Sequence, residues 1–223
     1  MSATTIASTS APKKIILAHA RPRRPEVLIF IILLVVANAQ VVFGACWSWL
    51  IFQPEAMRDG EWWRLLSHPL IHVTWYHLLL DGSAFLMLYQ SLLEERLARR
   101  MAYVVAAAAG SLILAWTTTP LGAGLCGLSG IAHGLMAVSA LELISRYPIE
   151  SAQARIGFIS FGFVICKAAL EAATGRMLFG FLDFGLLGQP VAVSHAGGII
   201  GGLFALLFDR RVEGGKKKGL SLN

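Results

Sequence analysis

Gly124-Leu125-Cys126-Gly127-Leu128-Ser129-Gly130-Ile131-Ala132-His133-Gly134 is the stretch on which the reading of this chain turns. A glycine-rich lead-in opens an apolar segment and sets one hydroxyl, Ser129, just inside it. Farther along, Ser194-His195-Ala196-Gly197-Gly198 opens a second apolar segment in the same manner. A serine and a histidine near the same end of two glycine-lined helices can become neighbours.

Composition supplies the setting. Apolar residues make up 56% of the 223, charged residues 14%, and the mean hydropathy is +0.65. A soluble domain carries about a quarter charged residues, so the composition predicts an all-α membrane protein. The formal charge of +6 is concentrated in the two tails, residues 1–26 and 210–223. Neither tail interleaves its basic residues with the aromatics that stack on bases. This excludes a nucleic-acid partner in favour of anionic lipid. Cys46, Cys126 and Cys166 lie in or beside apolar runs without a Cys-x-x-Cys spacing, so they read as small hydrophobes.

Hydropathy predicts six spans, at residues 27–50, 75–93, 101–116, 127–144, 156–173 and 191–208, each near the roughly 20 residues a crossing needs. Residues 27–39 also resemble a signal peptide with a cleavage site, but apolar character continues to Phe52 and predicts an uncleaved first helix. The connector 53–74 carries Trp62 and Trp63, suited to a membrane interface. With both termini cytoplasmic, fifteen of the nineteen Lys and Arg lie inside, three lie outside, and Lys167 lies within a span. That asymmetry matches the positive-inside rule. The chain thus reads as a membrane domain at 27–209 flanked by two basic cytoplasmic tails.

In this topology Ser129 and His195 both lie about one turn in from the outer face. Imidazole can take the proton of a serine and return it to a leaving amine, which makes the pair a candidate catalytic dyad. Backbone N–H groups left unpaired at a helix start are ready donors for an oxyanion. His77 and Asp81 sit one turn apart near the same outer end, and an ionisable residue within a span is a functional candidate by default. Lys167 and Glu171 are spaced to pair along the fifth span. Gly130/Gly134, Gly197/Gly201 and Gly198/Gly202 provide the four-residue spacing that lets helix backbones approach. His68 and His72 share that spacing, yet His-Glu-x-x-His is absent, so neither a metal nor a cofactor is expected.

Trp63-Arg64, then His68-x-x-x-His72-x-x-x-x-His77-x-x-x-Asp81, then Gly127-Leu128-Ser129-Gly130, then His195-Ala196-Gly197-Gly198 with Gly201-Gly202, resembles the rhomboid family of intramembrane serine proteases. The resemblance runs from about Glu61 to Asp209. It implies a six-helix bundle with Ser129 and His195 as the dyad, and with His77 and Asp81 assisting the oxyanion beside Gly127. The chain departs from the family at Asp81, where Asn is usual, and at His133, where many members place a tyrosine that supports the dyad histidine. The run Cys126-Gly127-Leu128-Ser129-Gly130 followed by His133-Gly134 resembles the rhombosortase branch. The resemblance therefore implies a multi-pass protein of the bacterial inner membrane. Its implied substrates are membrane-anchored proteins with a C-terminal Gly-Gly, apolar and basic tail. The alternative function is a non-catalytic rhomboid-like protein that binds client transmembrane segments.

Overall fold

In a computed structural model, residues 24–118, 124–178 and 191–220 are described, with side chains through Asp209. The fold is helical: α1 Pro25–Ala37, α2 Pro54–Arg58, α3 Arg64–Ser67, α4 Trp75–Ser91, α5 Leu97–Thr118, α6 Ser129–Arg146, α7 Ala152–Thr174 and α8 Val193–Leu220. The helix starts follow local chemistry. Thr74 caps α4 by accepting the N–H of His77, Ser151 caps α7 by accepting that of Ala154, and Pro25 occupies the first turn of α1.

Among the described residues two helices, Leu97–Thr118 and Ala152–Thr174, are long and apolar enough to cross a membrane, and Pro25–Ala37 and Val193–Asp209 are shorter apolar helices. Exposed apolar side chains are spread over the bundle, including Val105 and Ile113 on α5, Ile156 and Ile159 on α7, and Phe204 and Phe208 on α8. So much apolar surface suits lipid and not water. The chain is a multi-pass membrane protein.

The first expected span, 27–50, is corrected. Its helix stops at Ala37 after 13 residues, and 3₁₀ turns at Ala39–Phe43 and Ser48–Leu50 follow. Asn38 is the physical reason. Its Nδ2 donates to Leu34 O at 2.8 Å and to Leu70 O at 2.7 Å, and its Oδ1 accepts the N–H of His72 at 2.8 Å. A buried amide that ties the helix end to the connector leaves the following residues to run as turns. At the other end of the chain α8 continues to Leu220, past the expected boundary at Phe208. The basic residues of 1–23 lie outside the described residues.

Helix packing turns on α8, which lies against both α5 and α6 with almost no side chain between them. A Cβ on Gly197 or Gly201 would strike the backbone of Gly110 or Ala106 on α5; one on Gly198 would strike Gly130 O on α6. The glycine rows of α8 therefore serve two neighbours. Gly110 supplies the α5 side of a contact that the sequence spacing alone does not show.

Charged residues gather where α1 begins, α4 ends, α5 begins and α6 ends. Glu26 pairs with Arg100 and accepts the Tyr89 hydroxyl at 3.0 Å. Arg24 donates to Tyr89 O and Leu92 O, Arg99 pairs with Asp209 at 2.6 Å, and Glu142 accepts the N–H groups of Leu93 and Glu94. The starts of α4, α6 and α8, which carry His77, Ser129 and His195, are at the opposite ends of their helices.

Replacing Gly198 by Val overfills the α6–α8 contact and lowers the unfolding free energy in detergent by about 1–3 kcal/mol. Gly162→Ala is the control, because its Cβ meets nothing within 4 Å. It raises helix stability by roughly 0.5–1 kcal/mol. Equal destabilisation by both would contradict the packing argument.

Candidate active site

The loop that delivers Ser129 is held by backbone hydrogen bonds. Phe52 and Leu125 form an isolated antiparallel bridge, with N···O distances of 3.1 and 2.9 Å, and Gly127 N donates to His68 O at 3.1 Å. Gly127 has φ +95°, a conformation that L side chains rarely adopt. A Cβ there would lie 2.8 Å from His77 Nε2 and 2.9 Å from Asp81 Oδ2, so the glycine also makes room for those two side chains.

The connector braces this loop from beneath. Arg64 is buried and donates to Ser48 O at 2.8 Å and Ile51 O at 2.5 Å, while pairing with Glu61. His68 Nδ1 donates to Arg64 O at 3.0 Å. Burial pulls the His68 imidazole down to about 4, so the ring is a neutral structural donor. Trp62 and Trp63 of this segment are exposed.

His195 is buried in the first turn of α8, where Glu171 Oε2, from the last turn of α7, accepts from its Nδ1 at 2.7 Å. Glu171 is fully buried, and its Oε1 also takes Lys167 Nζ at 2.6 Å and the N–H of Leu178 at 3.0 Å. Three donors offset the cost of burying this carboxylate. Because Nδ1–H faces the carboxylate, the lone pair of the neutral imidazole resides on Nε2.

His133 joins the two halves of the site. Its ring stacks on that of His195 with centroids 3.9 Å apart and planes 9° from parallel. Its Nδ1 donates to Ser129 O at 2.7 Å, and its Nε2 accepts from Lys167 Nζ at 3.0 Å. The structure thus brings Ser129, His133 and His195 together through His133. The Ser129 hydroxyl makes no direct hydrogen bond to His195. Such contacts are often loose before substrate binds.

His77 and Asp81 meet beside Gly127. His77 Nε2 lies 3.0 Å from Asp81 Oδ2, and His72 Nε2 lies 3.8 Å from the same oxygen. Ser129 and Gly127 line a small recess with His68, Ser111, Cys126 and Ser194. An apolar cavity of about 470 Å³ adjoins it, sharing His68, Pro69, Ala108 and Ile131.

Glu171 is the partner of His195 that sequence reasoning missed. The signal was present, since a Lys and a Glu inside one apolar span demand an explanation. Pairing them with each other supplied one, and hid the carboxylate's second face.

Residues 59–212 match the family model for the Rhomboid domain, more than half of the chain. No curated protein matches it.

Removing Glu171 alone strands the Lys167 charge in a buried position. Glu171→Leu lowers the unfolding free energy by about 3–5 kcal/mol, and Lys167→Met in the same chain restores part of the loss. A double-mutant cycle of chemical unfolding in detergent measures the coupling. Simple additivity would show that the pair is energetically silent.

Proposed function

The chain belongs to the rhomboid family, whose members are generally intramembrane serine proteases, and from that premise we propose that Ser129 is its nucleophile and His195 its general base and acid. The observation that carries this is the fixing of His195. Glu171 holds its Nδ1 and His133 stacks on its face, while His133 also holds the Ser129 carbonyl. The ring is held in one tautomer and orientation, and His133 links it to the residue that opens α6.

In the proposed reaction His195 Nε2 takes the Ser129 proton as Oγ attacks the scissile carbonyl carbon. The oxyanion forms against the Gly127–Ser129 backbone, with His77 and Asp81 flanking Gly127. Collapse breaks the C–N bond, and His195 passes its proton to the leaving amine. Water then attacks the acyl-Ser129 ester with His195 as base, and collapse breaks the C–Oγ bond as His195 returns the proton to Ser129 Oγ. Glu171 is a positioning residue that stabilises the imidazolium, and His133 is a positioning residue through stacking.

The substrate reading follows the apolar cavity beside the recess, which suits a membrane-anchored chain with a hydrophobic segment next to the cut. The Cys126–Gly134 run supports the rhombosortase branch, whose substrates carry the C-terminal Gly-Gly, apolar and basic tail. The charged cluster opposite the site, together with the Lys and Arg distribution, supports six spans. On this reading 27–209 is the membrane domain, both basic tails are cytoplasmic, and the site opens toward the outer face of a bacterial inner membrane.

The test is co-expression with a membrane-anchored reporter ending in such a tail, with cleavage followed by mass spectrometry. Ser129→Ala and His195→Ala abolish cleavage, and Glu171→Gln lowers kcat by about 10²–10⁴, the range of acid–base contributions. Undiminished cleavage by Ser129→Ala would overturn the assignment. A reporter cut only when the Gly-Gly tail is replaced by a generic transmembrane segment would remove the rhombosortase assignment alone.

A further inference from the structure

We propose that His72, His77 and Asp81 form a binding site for a zinc-class divalent cation on the flank of Gly127. The sequence reading weighed only the spacing of His68 with His72 and expected no metal because His-Glu-x-x-His is absent. The fold separates those two: His68 turns its Nδ1 to Arg64 O, while His72, fully buried, turns toward α4.

The ligand atoms converge without satisfying one another. Those of His72, His77 and Asp81 all lie within 4.8 Å of one another. An ion bound at about 2.0–2.1 Å by each of three tetrahedral ligands spaces them roughly 3.3 Å apart. The 3.0 Å and 3.8 Å separations from Asp81 Oδ2 to His77 Nε2 and His72 Nε2 bracket that spacing. Asp81 Oδ2 and His72 Nε2 are buried and have no hydrogen-bond partner. The His77 Nε2–Oδ2 approach is close but not aligned as a hydrogen bond.

The surroundings prepare His72 as a ligand. Asn38 Oδ1 lies 3.3 Å from its Nδ1, and an amide oxygen can only accept, so Nδ1 carries the proton and Nε2 a lone pair. That lone pair faces a carboxylate oxygen, an arrangement that calls for a cation between them. Outer partners that fix a histidine tautomer are a regular feature of metal sites. Two imidazoles with one carboxylate favour zinc and its transition-metal neighbours over magnesium or calcium. Three protein ligands leave a fourth coordination position open. Occupancy also resolves the departure at Asp81, because the ion offsets a carboxylate charge that would otherwise face a developing oxyanion.

Binding is read without any protease assay. The full chain, purified in detergent and stripped with a chelator, is dialysed against zinc and analysed for metal, and cobalt(II) is added to a second sample for visible ligand-field spectra. The expected result is about one ion per chain with the spectrum of a four- or five-coordinate site. Asp81→Asn and His72→Gln each weaken binding at least about tenfold. His133→Phe, which dismantles the separate group of His133, Glu171 and His195, leaves binding unchanged. Circular dichroism checks that each variant is helical, and Asp81→Asn preserves side-chain volume, so its result stands alone if His72→Gln unfolds. No uptake by the unaltered chain, or full binding by Asp81→Asn, overturns the proposal. So does binding lost only in His133→Phe.

Discussion

Direct backbone contact between α8 and its two neighbours is the constraint on which the structure rests. In a membrane no hydrophobic force drives helices together, so close van der Waals contact must supply much of the association. Gly197 and Gly201 admit α5, and Gly198 and Gly202 admit α6. A helix gripped on two sides has little freedom to rotate or slide. The first turn of α8 holds His195, so this grip fixes where the imidazole stands relative to the start of α6.

Electrostatics then completes what packing begins. Glu171 is buried, and its acceptor sites are filled by a lysine, a backbone N–H and the imidazole of His195. Lys167 reaches from that carboxylate to His133, which returns through its other nitrogen to Ser129 O. A closed circuit therefore joins the end of α7 to the starts of α6 and α8. Each member is oriented by the next.

Much of this was legible in the sequence. The glycine-rich lead-in and the placing of Ser129 and His195 in the first turns of two helices follow from hydropathy and turn chemistry, which act locally. The pairing of Lys167 with Glu171 is likewise a property of one helix. What escaped depends on through-space contact between distant segments: Glu171 with His195, His72 with Asp81, and Gly110 with Gly197. The first helix misled for a related reason. Hydropathy continues through 38–50, but Asn38 finds carbonyl and amide partners around Leu70 and His72, and a tertiary hydrogen bond overrides an apolar run.

The bridge between Phe52 and Leu125 reaches beyond its two hydrogen bonds. With Gly127 N on His68 O, it welds the connector between α1 and α4 to the loop that carries Ser129. Phe52 is fully buried, so the weld is sheltered and does not fray. The connector also walls the apolar cavity through Leu65, His68 and Leu70. Any displacement of this wall would therefore pull on the Ser129 loop as well. The wall of the cavity and the setting of the Ser129 hydroxyl belong to one mechanical unit.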